Sequence, residues 1–564
     1  MVLNRLAPSP LLLVLLGTLT ACASTPPPAP LPAPPPAVID GPAPTIAPTQ
    51  ASADPVAEHA LDRVFTADSR TEQALDPQGA LERGEPVDPA RFRLLFTPQL
   101  TQLLRESNAD TLARLSTINR ASLGDAHRLS YDVFLRAKRD EQAALAPDAQ
   151  ALLAVRPFTH FGGFHVEFPQ LAAAQGPASM DRPEDFENRI AVLRALPTVF
   201  DQAIARFREG MASGAVEPRL TVANMIAQID AILAVPARRS PFVALAQDLP
   251  SSIPARTRRR ISADFLSATT GSVYPAYRTL RTFLATEYLP AARPEPGLSA
   301  IRGGDRLYRL LVRQHTTLDL DPDAVHRLGL SEVARIQAEM DKVKQQLGFT
   351  GSLRAFFEDI RTNPRYHPRS VGELQRAFVA VGDKVTALAP RYFNRVPATP
   401  LVIEPYPLFR DRFEAGGGYA PGAPDASKPG VFFFNTFDLR SRYLTGVTTL
   451  YLHEGEPGHH FQISLAQENE SLPDFQRFGG NTAFVEGWAL YAETPYQGLE
   501  PRTGHRLHAR QFRHGPQRRD RRSGSLHCRS GASAGLQDRR PHHPAPAPQG
   551  RNRTRPPLRH PRLP

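Results

Sequence analysis

The sequence predicts a mainly α protein: a large helical body with a small β element, an extended linker ahead of it and an aberrant tail behind. Three observations predict this architecture. Apolar residues recur at helical spacing through most of residues 57–410, Pro and Ala dominate residues 22–56, and from residue 497 the composition turns to Arg, Pro and His. With 564 residues and 41% apolar side chains, the chain can build two or more lobes or one large elongated helical domain. It has two cysteines, Cys22 and Cys528, so no disulfide framework is expected and no cysteine-rich metal site is possible. Any bound metal must rest on His, Glu and Asp.

Residues 1–21 read as a signal peptide, with a basic start at Arg5, an apolar run from Leu11 to Leu16 and small residues ahead of Cys22. That run is too short to span a bilayer. "LTAC" resembles a bacterial lipobox, which implies cleavage before Cys22, lipidation of its thiol and a membrane-anchored protein of the cell envelope that faces the periplasm from the outer membrane. The alternative is an ordinary signal peptide cut near Ala21 or Ala23. Either route exports the chain. Residues 22–56 are too rich in Pro and Ala to pack and form an extended tether.

The body begins near Ala57. "DFENRIAVLRALPTVFDQAIARFREGMASG" keeps helical spacing, with a break or kink expected at Pro197 and an end at Gly214. In "DLDPDAVHRLGLSEVARIQAEMDKVKQQLG" Asp321 caps, Pro322 takes the first turn, Leu330, Val333, Met340, Val343 and Leu347 recur on one side, and Gly348 ends the helix. No fixed-period repeat and no Gly-rich phosphate loop is present. His315, His326, Asp319 and Asp321 could be grouped as a second site, but polar residues beside a helix start ordinarily cap it or face solvent.

Residues 411–496 carry the chemistry. "EAGGGYAPGAPDASKPG" (414–430) reads as a flexible loop, and "VFFFNTF" from Val431 as a strand. That strand is an edge on which an extended peptide could pair, a core strand of a small sheet, or both. Next, "LYLHEGEPGHHFQ" (450–462) resembles a zinc-hydrolase helix broken in the middle, since Pro457 stands four residues after His453 where a second histidine would complete H-E-x-x-H. In a continuous helix His453 and His459 would lie about 9 Å apart along the axis and about 120° apart around it, too far to share an ion. Pro457 and Gly458 permit the chain to loop, with the helix ending around Glu456 and restarting near His459. A third ligand is then needed. On "NTAFVEGWALYAE", Phe484, Trp488 and Tyr491 form one stripe, expected to be core, and Glu486 and Glu493 share the opposite side, free to face a metal and its surroundings.

"HEGEPGHHFQ" followed by "FVEGWALYAE" resembles the bacterial domain-of-unknown-function 885 family, whose pattern is H-E-x-x-P-G-H and then E-G-W-A. The likeness extends from about residue 125 to 495. It implies an exported, predominantly helical, zinc-peptidase-like lipoprotein in which His453, His459 and Glu486 hold zinc and Glu454 activates its water. His460 is not a ligand in that pattern. It joins Glu493, Tyr419 and Asn435 as second-layer or substrate-facing candidates. The oxyanion donor of such a reaction would come from beyond residue 500, where the sequence departs from the family.

The tail from Gln497 has sixteen Arg, no Lys and three acids, or +13, which leaves about −2 for the rest of a chain whose net charge is +11. It lacks Val, Ile, Met, Tyr and Trp and cannot bury a core. It is an arginine-rich arm for anionic partners, a His-rich metal buffer, or DNA translated out of frame. The last reading accounts for the loss of Lys and of helical periodicity together, while nucleic-acid binding fits poorly with export. The sequence therefore leads to a zinc-dependent hydrolase cleaving peptides in the cell envelope, impaired in this copy by loss of its native C-terminal part. The alternative is a non-catalytic peptide- or metal-binding envelope lipoprotein.

Overall fold

The computed structural model describes residues 53–82, 85–173, 180–407 and 411–494. Cys22 with its signal peptide, nearly all of the tether and the tail from residue 497 lie outside the described residues. The described chain is mainly helical, with one three-stranded sheet.

Helix α1 (Pro55–Leu75) starts two residues earlier than expected, because the Asp54 carboxylate accepts the Val56 N–H and Pro55 takes the first turn. Helices α2 (Pro98–Ser116), α3 (Asp125–Ala144), α4 (Pro183–Ser213), α5 (Arg219–Ala234), α6 (Ala255–Ala268) and α7 (Tyr274–Phe283) build most of the body. Its largest core gathers around α4, where Leu193, Leu196, Val199, Phe200 and Phe207 are sealed from solvent. The break expected at Pro197 is absent, and α4 runs through it as one helix of 31 residues. A mid-helix proline costs about 3 kcal/mol. Each buried Leu, Val or Phe around it contributes about 1.5–3 kcal/mol, so packing outweighs the lost backbone bond.

Helix α8 (Gly304–Thr316) leads into α9 (Pro322–Gln346), which begins at the Asp321 cap and stops before Gly348, as its sequence indicates. Its apolar stripe, however, is not core: Leu330, Val333, Met340 and Leu347 are exposed, and Lys344 is the residue that α9 buries. The pattern records an amphipathic helix, while its main neighbour is the short α10 (Leu353–Thr362), too small to cover that face. Asp321 caps and Asp319 pairs with Arg313, so the grouping with His315 and His326 stays structural.

Beyond α11 (Val371–Leu388) come β1 (Leu401–Pro405), β2 (Gly417–Ala420) and β3 (Gly430–Phe434), in the order β1-β3-β2, parallel then antiparallel. Two expectations are corrected here. β1 lies inside the stretch read as helical, and the Gly-rich segment read as a loop contains β2. A Cβ on Gly417 would sit 3.0 Å from the Phe432 ring and 3.2 Å from Leu450, so glycine lets β2 lie flat on its neighbours. β3 is therefore the central strand and the sheet edges belong to β1 and β2. Its Phe432 and Phe434 pack on Phe378 of α11, with ring centroids 4.9 and 5.5 Å away.

The described residues end with α12 (Val447–Glu454), α13 (His459–Gln467) and α14 (Thr482–Ala492). No helix among the described residues is long and apolar enough to cross a membrane.

Candidate metal centre

At eight and nine residues, α12 and α13 are too short to be stable alone. Burial of Leu450, Tyr451 and Leu452 against Phe378 and Phe432 holds α12 in place. The helix stops at Glu454, two residues before the expected end, and resumes at His459. The intervening turn folds directly onto the end of α12: a Cβ on Gly458 would meet the His453 carbonyl oxygen at 2.0 Å and that of Leu452 at 2.3 Å, an approach open to glycine alone.

This turn brings the two imidazoles together. His453 and His459 stand with ring centroids 4.7 Å apart and planes at 88°. Glu486 on α14 completes the group: its Oε2 is 3.4 Å from His453 Nε2 and 3.7 Å from His459 Nε2, and one ligand atom from each of the three residues lies within 4.8 Å of the others. Ligands at zinc bond lengths in a tetrahedron stand about 3.3–3.5 Å from each other. The donor set and its spacing fit such an ion. Both histidines are buried and Glu486 is half-buried, so water reaches the group from the carboxylate side.

Behind the group, Glu493 Oε1 accepts the His453 Nδ1–H at 2.9 Å, which turns Nε2 toward Glu486 and His459. Burial alone would lower the His453 pKa, yet hydrogen bonds to Glu486 and Glu493 overcome it and raise the imidazole to about 9. The same negative field favours any cation placed there. Glu454 is wholly buried, close enough for its charge to add to the rise at His453.

The other candidates stand apart from the three ligands. His460, 100° around α13 from His459, has its Nδ1 3.0 Å from the Tyr419 hydroxyl and 3.4 Å from Ser464 Oγ. Burial lowers His460 to about 4 and raises Tyr419 to about 12, so the tyrosine donates to a neutral imidazole. The pair ties α13 to β2. Asn435 donates from Nδ2 to the carbonyls of Asp411 and Glu414 and braces the loop before β2. The sequence reading missed Ser464, whose signal was its place one helical turn after His460.

The aromatic stripe of α14 is not core either. Phe484 and Tyr491 are 66% and 58% exposed, because the carboxylate side of the helix is the one packed on α12 and α13. Asn481 anchors the start of α14, capping it through the Ala483 N–H and donating to the Gln314 carbonyl of α8.

Fold and site together define a helical protein with a buried two-histidine, one-glutamate cluster. Residues 77–502 match the bacterial proteins of unknown function DUF885, and the chain belongs to that family. Among solved structures it is similar to a protein from Colwellia psychrerythraea provisionally described as a lipoprotein, with a TM-score of 0.65 and 21% identity over 78% of each chain. It is also similar to a protein of unknown function from Shewanella oneidensis under the same provisional description, with a TM-score of 0.52 and 17% identity over 77% of this chain and 76% of that one. These likenesses define the fold. No functionally curated protein matches the chain.

Proposed function

We propose that the protein is a zinc-dependent hydrolase of the cell envelope, most simply a peptidase. The observation that carries this reading is the convergence of His453, His459 and Glu486 around one point, with the Glu454 carboxyl beside them and Glu493 behind His453. His453, His459 and Glu486 would hold the ion, which would polarise a water and a scissile carbonyl. Glu454 would take the water's proton and return it to the leaving amine. Such a group has the composition of catalytic sites with three protein ligands and one open position.

The test is metal content and turnover measured together. Purified protein should carry about one zinc per chain. His453→Ala, His459→Ala and Glu486→Gln should each lose it, and Glu454→Gln should keep it while peptide hydrolysis falls at least a hundredfold. Zinc lost from His460→Ala and kept by His459→Ala would refute the assignment. A non-catalytic binder is the second reading, favoured by the end of the family match at residue 502, in the region beyond which the oxyanion donor would stand. It would keep zinc and turn over no peptide. An out-of-frame tail gives this reading its cause.

The lipobox-like "LTAC" and the provisional description of both similar structures support a lipid anchor at Cys22. A fatty-acid probe should label the wild-type protein and not Cys22→Ser; equal labelling of both would remove the anchor.

A further inference from the structure

Two ligands of the candidate site lie on either side of a turn, and the third lies on another helix. Their register depends on whatever fixes the turn to α14. Gly455 N–H donates to the Tyr451 carbonyl at 2.8 Å and Gln462 N–H to that of Gly458 at 3.0 Å, which joins the turn to its own two helices. Thr386 Oγ1 donates to Glu456 Oε2 at 2.7 Å and ties its outer side to α11. The link to α14 is different in kind. Trp488 Nε1–H donates to the Pro457 carbonyl at 2.7 Å, and Trp488 stands two residues after Glu486.

Resting on the zinc reading above, we propose that Trp488 is a positioning residue for the metal. One helix then supplies the third ligand and, through a half-buried indole N–H, holds the carbonyl immediately before Gly458 and His459. A small shift of α14 would move Glu486 and the turn together and preserve the distance between Glu486 and His459. Without the N–H, α14 keeps its ties to His453 through Glu493 and to Gln462 through the Phe484 carbonyl but loses its hold on the turn, and the 3.7 Å separation between Glu486 Oε2 and His459 Nε2 is held less tightly. The sequence marks Trp488 only as one member of an aromatic stripe. The hydrogen bond is what separates it from Phe484 and Tyr491, whose rings are exposed.

The test uses the full chain, loaded with Zn(II) or Co(II) alone. Trp488→Phe keeps an aromatic ring and removes the N–H; 3-benzothienylalanine at 488 keeps the bicyclic volume as well and stays informative should the phenylalanine variant fail to fold. Either replacement should weaken zinc binding about 10- to 100-fold in chelator competition, the range found when groups that orient ligands are removed. The Co(II) d–d absorption should shift or lose intensity, while the thermal transition of the metal-free protein stays in place. Tyr491→Phe on the same helix should change neither readout. Zinc affinity within twofold of wild type with an unchanged Co(II) spectrum would overturn the role of Trp488. Wild-type protein that takes up neither ion would instead overturn the metal reading on which it rests.

Discussion

A single residue's role in this site follows from which of its atoms is engaged. The sequence groups Glu493 with His460, yet Glu493 grips the back of a candidate ligand and His460 bonds away from the cluster to Tyr419 and Ser464. Their variants should therefore separate. Glu493→Ala should weaken zinc binding about 10- to 100-fold by freeing the His453 ring. His460→Ala should leave zinc affinity within a few-fold and lower stability by about 1–3 kcal/mol, since the buried Tyr419 hydroxyl loses its nearer partner and keeps only Ser464 Oγ at 3.4 Å among side chains. Titration of both variants with zinc and with urea checks this, and the reverse order would mean that His460 reaches the metal. The choice between His459 and His460 was legible as a resemblance alone. Adjacent residues on a helix point 100° apart, and where α13 lies decides which one faces α12.

At the scale of elements, faces matter more than patterns. Periodicity placed α4, α9 and α14 in the sequence, because a 3.6-residue repeat is local and survives in any surroundings. What covers each apolar face is not local. Phe484 and Tyr491 stand open on α14, and the described chain ends two residues after that helix. An out-of-frame tail, one of the readings of residues 497–564, would account for this exposure. Reading the other two frames downstream of codon 494 should then yield an apolar-periodic helical sequence, and the repaired chain should bind less of a dye that reports exposed apolar surface and melt several degrees higher. Stop codons crowding both frames in the resequenced gene would exclude it. The strands followed a similar rule. β3 was legible from its aromatic run, whereas β2, glycine-rich and four residues long, has no sequence signal of its own and exists because Gly417 can lie against Phe432 and Leu450.

Across the whole molecule, the candidate site hangs from the body at several points. Phe475, between α13 and α14, packs 5.0 Å from Phe65 and 4.9 Å from Phe134, and Ser130 Oγ donates to Gln476 Oε1 at 2.8 Å. Loss of the body's packing should therefore loosen the site. One lever on that packing is pH. His165 is fully buried in the main core, with Nε2 3.1 Å from Gln228 Oε1, and burial lowers its pKa to about 4. The unfolded chain takes up a proton near the ordinary value of about 6.5 while the folded chain resists until about 4, so the unfolded state binds more protons between those values and stability falls as pH falls through that window. The contribution of His165 is on the order of 3 kcal/mol, present above pH 6.5 and gone below about pH 4. Urea unfolding at pH 7.5 and 4.5 should show it, with a shallower pH dependence in His165→Gln. Equal dependence in both proteins would place acid sensitivity elsewhere.

The sequence by itself determined the mainly helical class, the caps and ends of its long helices, the interruption between His453 and His459, and the family, since these rest on neighbouring residues or on motif spacing. Only the tertiary structure decided that α4 continues through Pro197, that α9 and α14 leave apolar faces exposed, that β3 is central, and that Trp488 bonds the turn between the histidines. Each of those depends on groups tens to hundreds of residues apart along the chain, and a local pattern can state that a face is apolar or a donor present without stating what will meet it.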